Sequence, residues 1–101
     1  MYDGTYSPID GVTHDGQPVY QQQGGSFYMI FMYNSYQNNY FWCIVDKWDY
    51  EDIIGGKTYA DYVDGVGDVP GNKSSMTDNA SATPADVIWG NGEYTCEEIT
   101  Q

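Results

Sequence analysis

Residues 26–34 read Ser-Phe-Tyr-Met-Ile-Phe-Met-Tyr-Asn and form the strongest strand pattern in the chain. Both alternating faces of this segment are apolar, which is typical of a central strand that is buried on two sides. A second aromatic segment, residues 40–46, repeats the pattern after the polar loop at 35–39. The two segments are therefore predicted to form a hairpin whose cross-strand aromatic pairs fix its register.

Shorter strand patterns flank this hairpin. Residues 5–13 form a weak strand with Pro8, which cannot donate a backbone hydrogen bond and so belongs at a sheet edge. Asp15-Gly16 is a two-residue turn signal that leads into a return strand. A further strand is predicted from Thr58 to Val63, and another hairpin surrounds Gly90-Asn91-Gly92. Residues 47–54 are interpreted as a loop or one helical turn.

The predicted fold class is all-β, with a small antiparallel sandwich or open barrel of about 6–8 short strands and at most one short helical turn. Residues 1–13 are predicted to form an N-terminal strand that can exchange with a neighbour. Residues 14–101 are predicted to form one globular β module with an exposed loop at 65–84, where Gly, Ser, Thr, Asn, Asp and Pro dominate.

The composition limits the classes of partner. Fifteen acidic residues against three lysines give the 101-residue chain a formal charge of −12, which would repel nucleic acid and anionic membrane surfaces. No apolar run reaches the length of about 18 residues that a membrane-spanning helix needs, so membrane insertion is not expected. The 11 Tyr and 3 Trp favour strands, a core and protein contacts, and their rings can also stack on sugars.

Cys43 and Cys96 are the only cysteines, and their spacing is not that of a zinc site. A Cys43–Cys96 disulfide is predicted, with two buried reduced thiols as the alternative. Two acceptor sequons, Asn72-Lys73-Ser74 and Asn79-Ala80-Ser81, lie in the predicted loop. They predict N-linked glycan at Asn72 and Asn79, and together with the disulfide they indicate an extracellular or cell-surface location.

The remaining polar residues indicate no catalytic centre. The acids at 46–64 offer weak metal ligands, namely Asp46, Asp49, Asp61 and Asp64, but they lack the regular oxygen-ligand spacing of a calcium loop. Calcium is therefore not expected to be required, and no cofactor is predicted. His14 is the only histidine and is interpreted as a solvent-exposed turn residue. The chain is predicted not to be an enzyme.

Five segments of the chain form a recognisable series, namely Asp15–Tyr20, Phe27–Ile30, Trp42–Ile44, Tyr59–Val63 and Thr83–Trp89. In this order they resemble an uncharacterised extracellular repeat module of large secreted or surface proteins of microbial eukaryotes and simple animals. In that family a Gly-x-Pro-Val-Tyr strand, a Tyr-rich strand, a Trp-rich strand, an Ala-Tyr-Val strand and a Thr-Pro followed by Trp recur in this order. The resemblance implies a surface or matrix building block that is often repeated in tandem, with no catalytic residues.

These observations predict a structural subunit of an extracellular glycosylated filament or surface coat that self-associates into a homopolymer or tandem array. Assembly is expected to be head-to-tail by β-strand addition, with Tyr2, Tyr6 and Ile9 of one chain docking on the next. The alternative is a carbohydrate-binding or adhesive module of a larger secreted protein.

Overall fold

The computed structural model of the protein describes residues 4–69, 71–74 and 76–84, and the backbone of residues 94–96. These residues form one sheet and two short helices. The strands and helices are, in chain order, β1 (Gly4–His14), β2 (Gln17–Gln22), β3 (Tyr28–Asn34), β4 (Asn39–Val45), α1 (Lys47–Ile54), α2 (Tyr59–Val66), β5 (Asn72–Lys73) and β6 (Tyr94–Cys96).

The sheet has the strand order β5-β4-β3-β2-β1-β6. All neighbouring pairs are antiparallel except β1 and β6, which pair in parallel over Gly4–Tyr6. The predicted hairpin of β3 and β4 is confirmed, with seven residue pairs from Tyr28↔Val45 to Asn34↔Asn39. The predicted Asp15-Gly16 turn is also confirmed, because both residues have the positive φ angles (50° and 84°) that a twisted two-residue hairpin requires.

The aromatic strands β3 and β4 bury both faces of the sheet, as their unbroken apolar pattern predicts. One face lies under the helices, and we call it the helical face. The opposite face, which we call the Trp42 face, is also buried. The core of the helical face consists of Val19, Tyr28, Ile30, Met32, Phe41, Cys43, Val45, Ile53, Tyr62 and Val69. The core of the Trp42 face consists of Tyr6, Tyr20, Met29, Phe31, Trp42 and Ile44.

The predicted antiparallel β-sheet is confirmed, but the described strands form one sheet and not a clear sandwich or barrel. The prediction of at most one helical turn is wrong, because α1 and α2 are both helices. The strand predicted from Thr58 to Val63 is instead most of α2. A capping box explains this outcome: the Thr58 hydroxyl accepts from the Asp61 N–H (3.3 Å), and the Asp61 carboxylate accepts from the Thr58 N–H (2.9 Å). These bonds satisfy backbone donors that the first helical turn leaves unpaired.

We expect Thr58→Ala to lower the free energy of unfolding by about 1 kcal/mol, because it removes the hydroxyl acceptor at the start of α2. Thr58→Ser is the matched control, since it retains a hydroxyl at the same position. Urea unfolding at neutral pH measures both variants. Equal losses for Ala and Ser would contradict the assigned role of the hydroxyl.

Among the described residues between 69 and 84, Val69, Ser74, Ala82 and Pro84 are buried, so this part of the predicted exposed loop is less exposed than a surface loop would be. β5 pairs with β4 through Cys43↔Lys73 and Ile44↔Asn72, and Tyr40 forms a bridge with Thr77. The Trp42 indole N–H donates to the Ala82 carbonyl (2.9 Å), and Ala82 is buried. The segment therefore covers the outer edge of β4.

Candidate ligand-binding cavity

A cavity of about 220 Å³ lies where the β1–β2 turn, the end of β3 and the α1–α2 loop meet. We call it the turn cavity. Its lining combines an imidazole, a carboxylate, an amine, two aliphatic hydroxyls and tyrosine side chains with a buried methionine. The lining residues are His14, Asp15, Met32, Tyr33, Ser35 and residues 56–59.

The position of His14 follows from a proline in the neighbouring strand. The β2–β3 register pairs Tyr20 with Met29, and continuing it places Pro18 opposite Phe31. The Gln22 N–H donates to the Phe27 carbonyl, and in an antiparallel ladder such a bond recurs at every second residue. The residue at position 18 would therefore be expected to donate to the Phe31 carbonyl. Proline has no N–H. The His14 Nδ1 lies 2.7 Å from the Phe31 carbonyl oxygen and supplies the donor that Pro18 cannot.

Asp15 provides the next contact between the turn and β3. Its Oδ2 accepts from the Tyr33 N–H (2.9 Å) and lies 3.4 Å from the His14 Nδ1. The two turn side chains thus replace a strand as partners for the backbone of β3 at Phe31 and Tyr33. These bonds orient both side chains. The interpretation of His14 as a solvent-exposed turn residue is wrong, since only 20% of its side chain is exposed.

The opposite wall of the turn cavity is the α1–α2 loop. The Lys57 Nζ lies 4.0 Å from the centroid of the Tyr62 ring, a cation–π distance. The Tyr62 hydroxyl donates to the Asp49 carboxylate (3.2 Å). Burial, with a further contribution from the nearby Asp46 charge, raises the pKa of Asp49. The Tyr59 ring packs edge-on against Phe41, with centroids 5.4 Å apart, so the wall rests on the core.

The acids considered as metal ligands have separate roles in the structure. Asp46 caps α1 by accepting from the Asp49 N–H (2.9 Å), and Asp61 belongs to the capping box of α2. The hydrogen bonds from Thr58 lower the pKa of Asp61. Asp64 accepts from the Tyr36 hydroxyl (2.6 Å). Within the described part of the chain, no group of three or more His, Cys, Asp or Glu residues could bind a metal.

The two predicted glycosylation sites lie in different surroundings. Asn79 is exposed, and its side-chain oxygen accepts from the Ser81 N–H (2.9 Å) in a local turn. Asn72 is half-buried in β5, and Ser74 of the same sequon is buried with its hydroxyl bonded to the Trp42 N–H (2.8 Å). Glycan at both positions stays a prediction, with Asn79 in the more accessible position.

The predicted disulfide joins residues on distant strands. Three strands lie between β4, which contains Cys43, and β6, which contains Cys96. With neighbouring strands about 4.8 Å apart, the two backbones are separated by roughly 19 Å along the sheet, whereas a disulfide needs a Cα separation of about 4.4–6.8 Å. The strand order does not favour this pairing. It stays a prediction, because the Cys96 side chain lies outside the described residues.

Two of the three residues predicted to dock on a neighbour, Tyr6 and Ile9, contact the core of their own chain. Tyr6 is fully buried in the Trp42 face, and β1 pairs with β2 on one side and with β6 on the other. Ile9 is half-buried and packs against the core of the helical face. Tyr2 lies outside the described residues. Docking of β1 on another chain stays a prediction, and the structure provides Tyr6 with an intramolecular site.

Comparisons with protein-family models, with curated proteins and with solved structures found no match. The resemblance to an extracellular repeat module therefore stays a prediction. No helix among the described residues has the length and apolar character needed to cross a membrane.

Proposed function

We propose that the chain is a binding module of a secreted or cell-surface protein, and that the turn cavity binds one sugar residue. The observation that carries this proposal is the lining of the cavity. Oriented polar groups from His14 and Asp15 meet the Ser35 and Thr58 hydroxyls and the Tyr59 side chain around one small volume.

A sugar matches this lining because it is amphipathic. Its hydroxyls require both donors and acceptors, while its C–H faces pack against aromatic rings. The volume also limits the size of the ligand: 220 Å³ corresponds to about seven water molecules at about 30 Å³ each. That is less than the roughly 300–1,000 Å³ of a typical pocket for a drug-sized ligand. The cavity therefore suits one ring and not an extended oligosaccharide.

The filament function predicted from the sequence is the second proposal. Two large apolar side chains, Trp48 on α1 and Val66 on α2, are 77% and 74% exposed, and a neighbouring module could bury them. Such a contact would leave β1 in its own sheet. We rank it second because exposed apolar residues occur singly on many monomeric proteins.

A titration of the isotope-labelled chain with single sugars, followed by NMR, tests the first proposal. The panel comprises neutral hexoses, N-acetylhexosamines and uronic acids. About 12 heavy atoms at roughly 0.3 kcal/mol each give about −4 kcal/mol, which is a Kd on the order of 1 mM. We expect saturable shifts of resonances from residues 14–15 and 56–59 with at least one sugar.

Ser35→Leu should block the cavity and weaken binding at least about tenfold, or about 1.4 kcal/mol. Ser26→Leu is the matched control, because Ser26 is also exposed but lies outside the cavity. Absence of saturable shifts with every sugar, or equal binding by the two leucine variants, would contradict the proposed function.

A further inference from the structure

His14 sits among acceptors, which determines where its proton lies. The Phe31 carbonyl oxygen is 2.7 Å from Nδ1, and the Asp15 Oδ2 is 3.4 Å from the same nitrogen. Neither oxygen can donate, since a carbonyl and an ionised carboxylate only accept. The Phe31 carbonyl lacks a strand donor because Pro18 lies opposite, so Nδ1 must carry a proton for this bond to form.

A neutral imidazole has one N–H, so the other nitrogen, Nε2, has a lone pair. Within the part of the chain that the structure describes, Nε2 makes no hydrogen bond. His14 lines the turn cavity, and its side chain is partly exposed. The backbone contact at Nδ1 thus orients the ring and makes Nε2 an acceptor, in the same way that outer contacts fix the tautomer of metal-binding histidines.

We infer that His14 is the residue that recognises the ligand of the turn cavity, by accepting a hydrogen bond from a ligand hydroxyl at Nε2. This inference rests on the proposed function and specifies the ligand as a neutral sugar that presents an O–H to the β1–β2 turn. Asp15 adds a second acceptor on the same wall. Lys57 on the opposite wall offsets the Asp15 charge within the lining, so the repulsion of an acidic sugar comes from the formal charge of −12 on the whole chain.

Two measurements test the inference. Long-range 1H–15N correlation spectra of the His14 ring at neutral pH report its tautomer without any ligand, and we expect the Nδ1–H form. In the sugar titration, we expect the Nε2 resonance to shift with neutral sugars and to shift at least about fivefold less with uronic acids at equal concentration.

His14→Asn is the informative variant. The Asn side-chain amide can donate to the Phe31 carbonyl in place of Nδ1, but it leaves no acceptor at the position of Nε2. We expect an unfolding midpoint close to that of the unsubstituted chain and at least about tenfold weaker sugar binding. Should the variant fail to fold, the tautomer of the unsubstituted chain and the shift of its Nε2 resonance in the sugar titration still test the inference.

The outcomes separate the two proposals. An Nε2–H tautomer, unchanged sugar binding by His14→Asn, or preference for uronic acids would overturn the role of His14, while binding at the turn cavity itself would persist. If no sugar shifts any cavity resonance, the proposed function fails, and with it the ligand assigned to Nε2, even where the Nδ1–H tautomer is observed.

Discussion

Replacing Gly71 by alanine is expected to remove about 4 kcal/mol or more from the free energy of unfolding, a large part of the roughly 5–15 kcal/mol of a typical domain. A Cβ at Gly71 would lie well inside the van der Waals contact distance of the Ile44 carbonyl oxygen, and 3.4 Å from the Val45 Cα. Both atoms belong to the β4 backbone, which cannot move without disturbing the core strands. The close approach of residue 71 to β4 therefore requires glycine.

Gly67→Ala is the matched control for this prediction. Gly67 has φ +85° and Gly71 has φ +87°, so alanine meets an unfavourable positive φ at both positions. No heavy atom lies within 4 Å of a Cβ built on Gly67, apart from its own chain neighbours and the α2 backbone. We expect a loss of about 1–2 kcal/mol there. Urea unfolding monitored by tryptophan fluorescence measures both variants, and similar losses would show that the contact with β4 is not the main cost.

Local sequence signals were sufficient for the sheet. The apolar runs of β3 and β4 and the Asp15-Gly16 turn placed four strands and two hairpins within a few residues of their observed positions. They were sufficient because periodicity and two-residue turns depend on neighbours in the chain. Residues 58–63 were misassigned since Tyr, Ala and Val suited a short strand, while the Thr58–Asp61 capping box determined the outcome.

The turn cavity could not be predicted from local patterns. His14 lies there because Pro18 falls opposite Phe31, which depends on the register between β2 and β3. The α1–α2 loop reaches the same place only because residues 47–66 are helical. No sequence pattern around a single histidine beside a turn predicts that its ring contacts a backbone carbonyl two strands away. A signal did exist one strand away, since a proline within a predicted strand implies an unpaired carbonyl on the strand beside it.

The role of β1 leads to the second large expected effect. Tyr6→Ala should lower the free energy of unfolding by roughly 3–4 kcal/mol, because the side chain is fully buried in the Trp42 face and its removal leaves a cavity. Tyr36→Ala is the matched control. Tyr36 is 56% exposed and its hydroxyl donates to Asp64, so a loss of about 1 kcal/mol or less is expected.

Unfolding of the same variants at several protein concentrations distinguishes a β1 strand that lies in its own sheet from one that is exchanged between chains. Only Asp15 and Gly16 connect β1 to β2, and the pair His14↔Gln17 closes the hairpin. Exchange of β1 alone would require this two-residue turn to open, and the burial of Tyr6 would be regained only in a neighbouring chain, so exchange loses the hairpin without burying more of Tyr6. We therefore expect β1 to stay in its own sheet.

Unfolding midpoints measured over a hundredfold range of protein concentration test this expectation. An intramolecular β1 gives a midpoint that does not change with concentration, for the unsubstituted chain and for Tyr6→Ala alike. Exchange between chains couples folding to association, so the midpoint would rise with concentration. A rising midpoint that Tyr6→Ala abolishes and Tyr36→Ala preserves would restore the donor strand predicted from the sequence, with Tyr6 as its anchor in the neighbouring subunit.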